Sequence, residues 1–123
     1  MSSDVERRSL VLRSALDLCL LTLVQDGAVY GYELTRRLAE RGLPVAEGSA
    51  YPLLARLERG GLLRGETRAG EGRPRKYYAI TAVGRHALAV GREEWVETSD
   101  AVRAALLDPP VHHNTDEETS RAR

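Results

Sequence analysis

The sequence predicts a mainly α-helical fold with a small β-hairpin, arranged as a winged helix-turn-helix with a long C-terminal dimerisation helix. Two short helical segments joined by a glycine-containing turn predict the helix-turn-helix. A basic two-strand pattern directly after them predicts the wing. An apolar repeat every seven residues in the last segment predicts a helix that packs against another helix.

The length of 123 residues fits one domain. We predict that the winged helix-turn-helix covers residues 9–81 and that the dimerisation helix covers residues 82–108. The polar ends, residues 1–8 and 109–123, are predicted to be disordered. Because a chain this small is only marginally stable alone, burial of further surface in a dimer would stabilise it.

The first helix is predicted from about Ser9 to Gln25. Apolar residues cover most of its circumference, whereas a surface helix needs only one apolar stripe. We therefore expect it to be buried on two sides, against its own domain and against a second subunit. Leu16 and Leu20 are assigned to that dimer interface.

The second helix is predicted from about Tyr32 to Arg41, with Leu34 and Leu38 facing the core. Gly42 ends this helix, since glycine adopts the left-handed C-terminal geometry without a steric penalty. Pro44 prevents its continuation.

The third helix ends at Gly60 and Gly61, but its start is ambiguous because of Pro52. If Ser49 is the N-cap, the proline is the third helical residue, where its missing N–H has no helical partner. A start at Ala46 or Glu47 would place the proline inside the helix, at the cost of a hydrogen bond and a kink. The sequence does not decide between these starts.

Two strands are predicted after the third helix, at Leu62 to Thr67 and at Lys76 to Thr81. The second is rich in β-branched and aromatic residues. The basic segment 68–75 joins them as a flexible loop, so the two strands form a hairpin with a long tip.

Thr81 is the predicted N-cap of a last helix, Ala82 to Leu107, which is roughly 40 Å long at 1.5 Å per residue. Its apolar residues recur every seven positions and interleave with small residues such as Gly91, which indicates a helix–helix contact. The interface residues assigned on this helix are Leu88, Trp95 and Val102.

The net charge is zero, but the charges are unevenly distributed. Between Arg56 and Arg85 there are eight Arg or Lys and three Glu, a local net of +5. Between Glu93 and Arg123 there are eight acidic residues and three Arg, a local net of −5. Such a bipolar chain can present a positive face to phosphate, although two ordinary solvated surfaces would give the same counts.

Several classes of function are disfavoured. The single Cys19 excludes an internal disulfide and indicates a reducing compartment. The apolar run from Leu10 to Val24 is too short for a membrane span and lacks a cleavage site, so a cytoplasmic location is predicted. We find no catalytic triad, phosphate loop or paired carboxylates, and the adjacent His112 and His113 do not supply a preorganised metal site. No enzyme activity, metal or cofactor is predicted.

The helix, turn and wing pattern predicts binding to double-stranded DNA. The third helix would enter the major groove with Ser49 and Tyr51 at the base edges. Arg56 would reach a phosphate or a guanine, and the wing would place further cations on the adjacent backbone or in the minor groove. The alternative is that Tyr51 is core and the arginines are plain surface. The residues assigned to DNA are Ser49, Tyr51, Arg56, Arg73, Arg75 and Lys76.

Three motifs together resemble the signatures of the PadR family of bacterial transcriptional regulators: YGYEL (Tyr30 to Leu34), GSAYPLLARLERGGLL (Gly48 to Leu63) and GRPRKYYAITAVGRHAL (Gly72 to Leu88). The resemblance implies a homodimer on a pseudo-palindromic operator, usually a repressor, whose last helix packs near the partner's first helix. The single C-terminal helix resembles the smaller subfamily. Ala50 departs from the bulkier apolar residue expected there.

Trp95 has two interpretations. It fills the dimer interface, with Gly91 allowing close helix approach, or it borders a slot for a planar aromatic effector. Some relatives bind aromatic compounds in such a place. The rival to a DNA-binding function as a whole is a winged helix that uses the same surface for protein partners.

Overall fold

The computed structural model describes residues 15–43, 45, 47–70 and 72–108. Helix α1 is helical over residues 15–23 of the described part, and strand β1 follows at Val29–Tyr30. The remaining elements are α2 (Gly31–Glu40), α3 (Glu47–Arg59), β2 (Leu63–Arg68), β3 (Arg75–Ile80) and α4 (Ala82–Leu107). This mainly helical arrangement, with a small sheet and a long last helix, confirms the predicted fold class.

The core is built mostly of leucine, as the composition requires of a chain without Phe. Each of the helices α1, α2 and α3 contributes fully buried leucines, and β2 and β3 add one apolar face. Removing this apolar surface from water is the main driving force for folding. The fully buried leucine side chains are those of Leu20, Leu21, Leu34, Leu38, Leu54, Leu57 and Leu63.

Both α2 and α3 end in the same hydrogen-bonded motif, as their glycines predict. The backbone φ is +80° at Gly42 and at Gly61, a conformation that favours glycine. After α3, the Leu62 N–H donates to the Leu57 carbonyl at 2.9 Å, and the Gly61 N–H donates to the Glu58 carbonyl at 3.0 Å. These bonds satisfy carbonyls that the helix end would leave unpaired and turn the chain directly into β2.

The start of α3 resolves the ambiguity at Pro52. The helix begins at Glu47 and contains the proline, so the earlier of the two starts is the observed one. Pro52 cannot donate to the carbonyl four residues before it, and the hydrogen-bond ladder of α3 is interrupted there. Ala50, where a bulkier residue was expected, is buried in the core.

The sheet has three antiparallel strands in the order β1-β3-β2. Tyr30 of β1 pairs with Tyr77 of β3, and Arg68 of β2 pairs with Arg75 of β3. Strand β1 was not predicted, because two residues are too few to show an alternating pattern. The hairpin strands were predicted within one residue of their observed ends.

Thr81 caps α4 as predicted. The Gly84 N–H donates to the Thr81 hydroxyl at 3.0 Å, and that hydroxyl donates to the Gly61 carbonyl at 2.5 Å. The cap therefore also ties the start of α4 to the turn after α3. The chain divides into two compact units, Met1–Glu93 and Glu94–Arg123, with the boundary inside α4.

The predictions for the chain ends and for the start of the first helix lie outside the described residues. The first helix ends at residue 23 rather than at Gln25, and a turn follows. None of the helices in the described ranges is both long and apolar enough to cross a membrane.

Candidate nucleic-acid interface

The two wing strands have one buried and one outward face. On β3, Tyr78 and Ile80 are buried, together with Leu63 of β2, whereas Arg75 and Lys76 at the start of the strand are exposed. Because successive side chains of a strand point to opposite faces, Arg75 and Tyr77 lie on the face away from the core. The same alternation assigns each residue of β2 and β3 either to the core-facing side or to the outward side of the sheet.

Tyrosine and arginine side chains stack on the outward face. The Tyr30 and Tyr77 ring centroids are 5.8 Å apart. The Arg68 guanidinium lies 4.4 Å from the centre of the Tyr77 ring, and the Arg75 guanidinium lies 4.9 Å from the centre of the Tyr30 ring. Guanidinium groups over aromatic faces are held by cation–π attraction. We call these four residues the tyrosine–arginine surface.

The wing tip adds a third cation beside this surface. An open concavity there is lined by side chains that include Arg68, Arg73 and Arg75, and its described lining contains no carboxylate. Arg68 also lies 3.6 Å from Glu66, a loose ion pair. Three guanidinium groups around one concavity make it a suitable site for an anionic group such as a phosphate.

Tyr51 of α3 is a partly exposed residue close to the start of α2. Its side chain is 41% exposed, so it is not a core residue. A Cβ placed on Gly31 would lie 3.4 Å from the Tyr51 ring and 3.3 Å from the Tyr78 ring. Gly31 begins α2, so these contacts place Tyr51 beside the start of α2 and the buried Tyr78 of β3. Ser49 lies in α3, and its side chain is outside the described part of the structure.

Arg56 is held by an aspartate of α1. Its two terminal nitrogens donate to the two carboxylate oxygens of Asp17, each at 2.9 Å. The hydrogen bonds to Asp17 raise the pKa of Arg56, and its positive charge is locally neutralised. The prediction that Arg56 reaches DNA missed this partner, because Asp17 lies 39 residues earlier in the chain.

Lys76 is held by a glutamate of α3. Its Nζ donates to Glu58 Oε1 at 3.0 Å, and this hydrogen bond raises the pKa of Lys76. The Gly65 N–H donates to the other oxygen of the same carboxylate at 3.3 Å. Strand alternation therefore separates two residues that were predicted together: Arg75 lies on the outward face, and Lys76 lies on the face toward α3.

Sequence reasoning did not assign Tyr30, Tyr77 and Arg68 to the interface. Tyr30 lies beside Tyr77 only because β1 pairs with β3, so their proximity could not be recognised from the sequence. Arg64 of β2 and Arg59 of α3 are exposed and have no ion pair among the described residues. Neither of these two cations was assigned to DNA from the sequence.

The residues assigned to the dimer interface fall into two groups. Leu16, Leu20 and Leu88 belong to the core of the chain itself, and this burial already accounts for their apolar character. Trp95 is 39% exposed and Val102 is 50% exposed in the single chain. Only the second group presents apolar surface that a partner chain could cover.

Gly91 does not border an open slot within its own unit. A Cβ placed on it would lie 2.6 Å from a methyl carbon of Leu18, so α1 fills the space beside the glycine. This contact corresponds to close helix approach. Of the two residues assigned to an effector site, Gly91 and Trp95, only Trp95 remains a candidate.

Cys19 is partly buried against the core, and burial raises the pKa of its thiol. His86 lies on an exposed position of α4. Within the described ranges, no three His, Cys, Asp or Glu side chains are close enough together to hold a metal ion. The predicted tail histidines, His112 and His113, lie outside those ranges.

The chain is similar in sequence to known transcriptional regulators. Residues 20–90 match the profile of the transcriptional regulator PadR-like family. The chain is 40% identical over 90 residues to the transcriptional regulator Rv3488 of Mycobacterium tuberculosis, covering 73% of this chain and 84% of that protein.

Solved structures are similar to this chain over most of its length. A PadR family transcriptional regulator from Eggerthella lenta has a TM-score of 0.74 and 36% identity, covering 82% of this chain and 92% of that one. Bacillus subtilis PadR in complex with operator DNA has a TM-score of 0.58 and 23% identity, covering 67% of this chain and 46% of that one. At that identity, the similarity to the Bacillus protein concerns the fold.

Proposed function

The chain belongs to the PadR-like family of transcriptional regulators, and we propose that it acts as a homodimeric repressor on a pseudo-palindromic operator. The family consists of transcriptional regulators rather than enzymes. The proposal assigns α3 to the major groove and the wing to the adjacent backbone. In a dimer, two copies of α3 about 34 Å apart would meet successive major grooves.

The single observation that carries the proposal is the convergence of three arginine side chains around the wing-tip concavity. The Arg75 guanidinium of this group lies on the Tyr30 ring, and the Arg68 guanidinium lies on the Tyr77 ring. We assign base contact to Tyr51 and, by its position in α3, to Ser49. Stacking on the tyrosine rings restricts the arginine side chains before DNA arrives, which lowers the entropy lost on binding.

Phosphate contact is assigned to Arg73 and Arg75, with Arg68 added. These three line the wing-tip concavity, where several cations converge without a carboxylate in its described lining. Arg56 and Lys76 are left out of this set, since each donates to a carboxylate of its own chain. Bacillus subtilis PadR, which has a similar fold, was solved in complex with operator DNA, and this supports the proposal of DNA binding in general.

The homodimer is proposed from the exposed apolar side chains of α4. Beyond Trp95 and Val102, Leu106 and Leu107 are also largely exposed in the single chain. A run of such residues on a long helix is typical of a surface that another chain covers. We place the dimer interface on this face of α4.

We further propose that an aromatic effector binds beside Trp95 and releases the operator. An indole ring that is only partly covered can stack on a planar apolar ligand. The measurement is quenching of tryptophan fluorescence together with operator affinity. Trp95 is the only tryptophan in the chain, so the signal is unambiguous. Quenching with unchanged operator affinity would reject the regulatory role.

The decisive experiment is selection of bound duplexes from random DNA, followed by affinity measurements at several salt concentrations. We expect recovered sites with dyad symmetry, and an affinity that falls steeply as salt rises. Recovery of no enriched sequence, with binding that does not respond to salt, would reject the proposal and favour a protein-binding wing.

A matched pair of variants tests the phosphate assignment. Arg75→Gln should weaken binding to selected and random duplexes alike and reduce the slope of log affinity against log salt by about 0.9. Arg103→Gln removes the same charge from an exposed position of α4 and should leave that slope unchanged. Equal slopes for the two variants would remove Arg75 from the interface.

A further inference from the structure

Asp17 and Arg56 connect α1 to α3 by a two-point contact. The two guanidinium nitrogens Nη1 and Nη2 each donate to a different oxygen of the Asp17 carboxylate at 2.9 Å. Parallel bonds of this kind fix direction as well as distance, because both planar groups must align. The contact therefore restricts rotation of α3 about its own axis.

The helix that carries Arg56 needs such a restriction. Pro52 interrupts the hydrogen-bond ladder of α3, and Arg56 lies one turn after it. Leu54 and Leu57 hold α3 against the core, but apolar packing is less directional than paired hydrogen bonds. Glu58 of α3 also bonds to a different element, since its carboxylate accepts a hydrogen bond from Lys76 of β3.

Asp17 directly precedes a residue of α1 that contacts α4. Leu18, which follows Asp17, packs against Gly91, and the Arg92 guanidinium donates to the Thr22 hydroxyl at 3.3 Å. Helix α1 is thus held by α4 on one side and by Arg56 on the other. A displacement of α1 would reach α3 through the Asp17–Arg56 pair.

We infer that Arg56 is a positioning residue that orients α3 through Asp17, and that it makes no phosphate contact. This inference rests on the proposed DNA-binding function. The two roles predict opposite signs for one substitution. If Arg56 bound phosphate, Asp17→Asn would release it and remove a nearby negative charge, so affinity for every duplex would rise. If Arg56 positions α3, the same substitution weakens binding to the selected sequence.

The experiment compares wild type, Asp17→Asn and Arg56→Gln on two probes: a duplex recovered by the wild type from random DNA, and a scrambled duplex of the same composition. For Asp17→Asn we expect about a three- to fivefold loss on the selected duplex, the upper range for an exposed ion pair. Affinity for the scrambled duplex should stay level or rise slightly, since a carboxylate has been removed. Arg56→Gln should lower the preference for the selected duplex without changing the salt slope.

A charge reversal, Asp17→Arg with Arg56→Asp, tests whether the pair itself matters. It should recover at least half of the lost preference for the selected duplex, and circular dichroism should confirm that each variant is folded. Tighter binding of Asp17→Asn to both duplexes, or a salt slope reduced by about 0.9 in Arg56→Gln, would overturn the inference. A wild type that binds no duplex would overturn the proposed function, and the positioning role would fall with it.

Discussion

The same seven-residue repeat of apolar positions runs through both halves of α4, but its residue in the first half is buried and its residues in the second half are exposed. In the first half, Leu88 is 4% exposed, and Gly84 lies so close to β-hairpin residues that an added Cβ would be 2.2 Å from the Leu62 carbonyl oxygen. In the second half, Trp95 and Val102 occupy the next two positions of the repeat and are substantially exposed. The repeat therefore indicates that a helix face will be covered, but it does not identify what covers it.

The difference has a physical origin in the rest of the chain. The first half of α4 begins at the Thr81 cap, which is bonded to the turn after α3, and α1 packs against it at Gly91. No other helix or strand among the described residues is formed by the chain beyond Glu93. Exposed apolar residues on a long helix are typical of a surface that another molecule covers.

The largest expected effect is on the free energy of unfolding, where the same substitution at Leu88 and at Leu106 should give different losses. Leu88→Ala should lower the free energy of unfolding by about 2–5 kcal/mol, because it leaves a cavity in the core. Leu106→Ala is the same substitution at an exposed position and should change stability by no more than about 0.5 kcal/mol in the monomer. Chemical denaturation at low protein concentration measures both. Equal losses would mean that the two halves are packed alike.

The second prediction concerns self-association. Val102→Asp should raise the dimer dissociation constant at least about tenfold, equivalent to about 1.4 kcal/mol, because a carboxylate would be buried in the proposed interface. Val83→Asp makes the same change at an exposed position in the first half and should leave the constant unchanged. Analytical ultracentrifugation over a concentration series compares them. An unaffected Val102→Asp dimer would place the interface elsewhere.

A smaller effect is expected at the two threonines of this region. Thr81→Ala should cost about 1 kcal/mol, the usual value for loss of an N-cap. Thr98 is exposed, and no hydrogen bond from its side chain occurs in the described structure, so Thr98→Ala should be neutral or slightly stabilising, since alanine favours helix. Thermal unfolding resolves the difference. Similar melting temperatures for both variants would indicate that the cap contributes little.

The smallest expected effect is a difference in stability between variants of Arg92 and of Arg103. Arg92 donates to the Thr22 hydroxyl at 3.3 Å and to the Gln25 side-chain oxygen at 3.4 Å, whereas Arg103 makes no such bond in the described ranges. Arg92→Gln should cost roughly 0.5 kcal/mol, the lower limit for exposed hydrogen bonds. Arg103→Gln should cost nothing measurable. Urea unfolding in triplicate measures the difference, and a larger loss at Arg103 would contradict the comparison.

Local residue chemistry made the helices and the hairpin predictable. Gly42, Gly61 and Thr81 each act within a few residues of the element that they end or begin, so their effect could be assigned from the sequence. The start of α3 was different. Glu47 and Ser49 were both acceptable on local grounds, and the structure places the start at Glu47 although this leaves Pro52 inside the helix.

The candidate interface was predictable in its elements and only partly in its residues. The sequence placed cations on the wing because their number and spacing are visible in it. It did not show that Arg56 and Lys76 have carboxylate partners, since Asp17 and Glu58 lie 39 and 18 residues away along the chain. It also missed the stacking of Arg75 on Tyr30, which depends on a two-residue strand.

The sequence alone determined the order and ends of most elements, the apolar faces and the local excess of positive charge. These properties follow from backbone preferences, periodicity and composition, which act over one or two turns of chain. Tertiary structure alone decided which cations are paired, which tyrosines stack and which apolar residues of α4 enter the core. Those outcomes depend on contacts between residues distant in sequence, and such contacts arise only when the helices and strands pack.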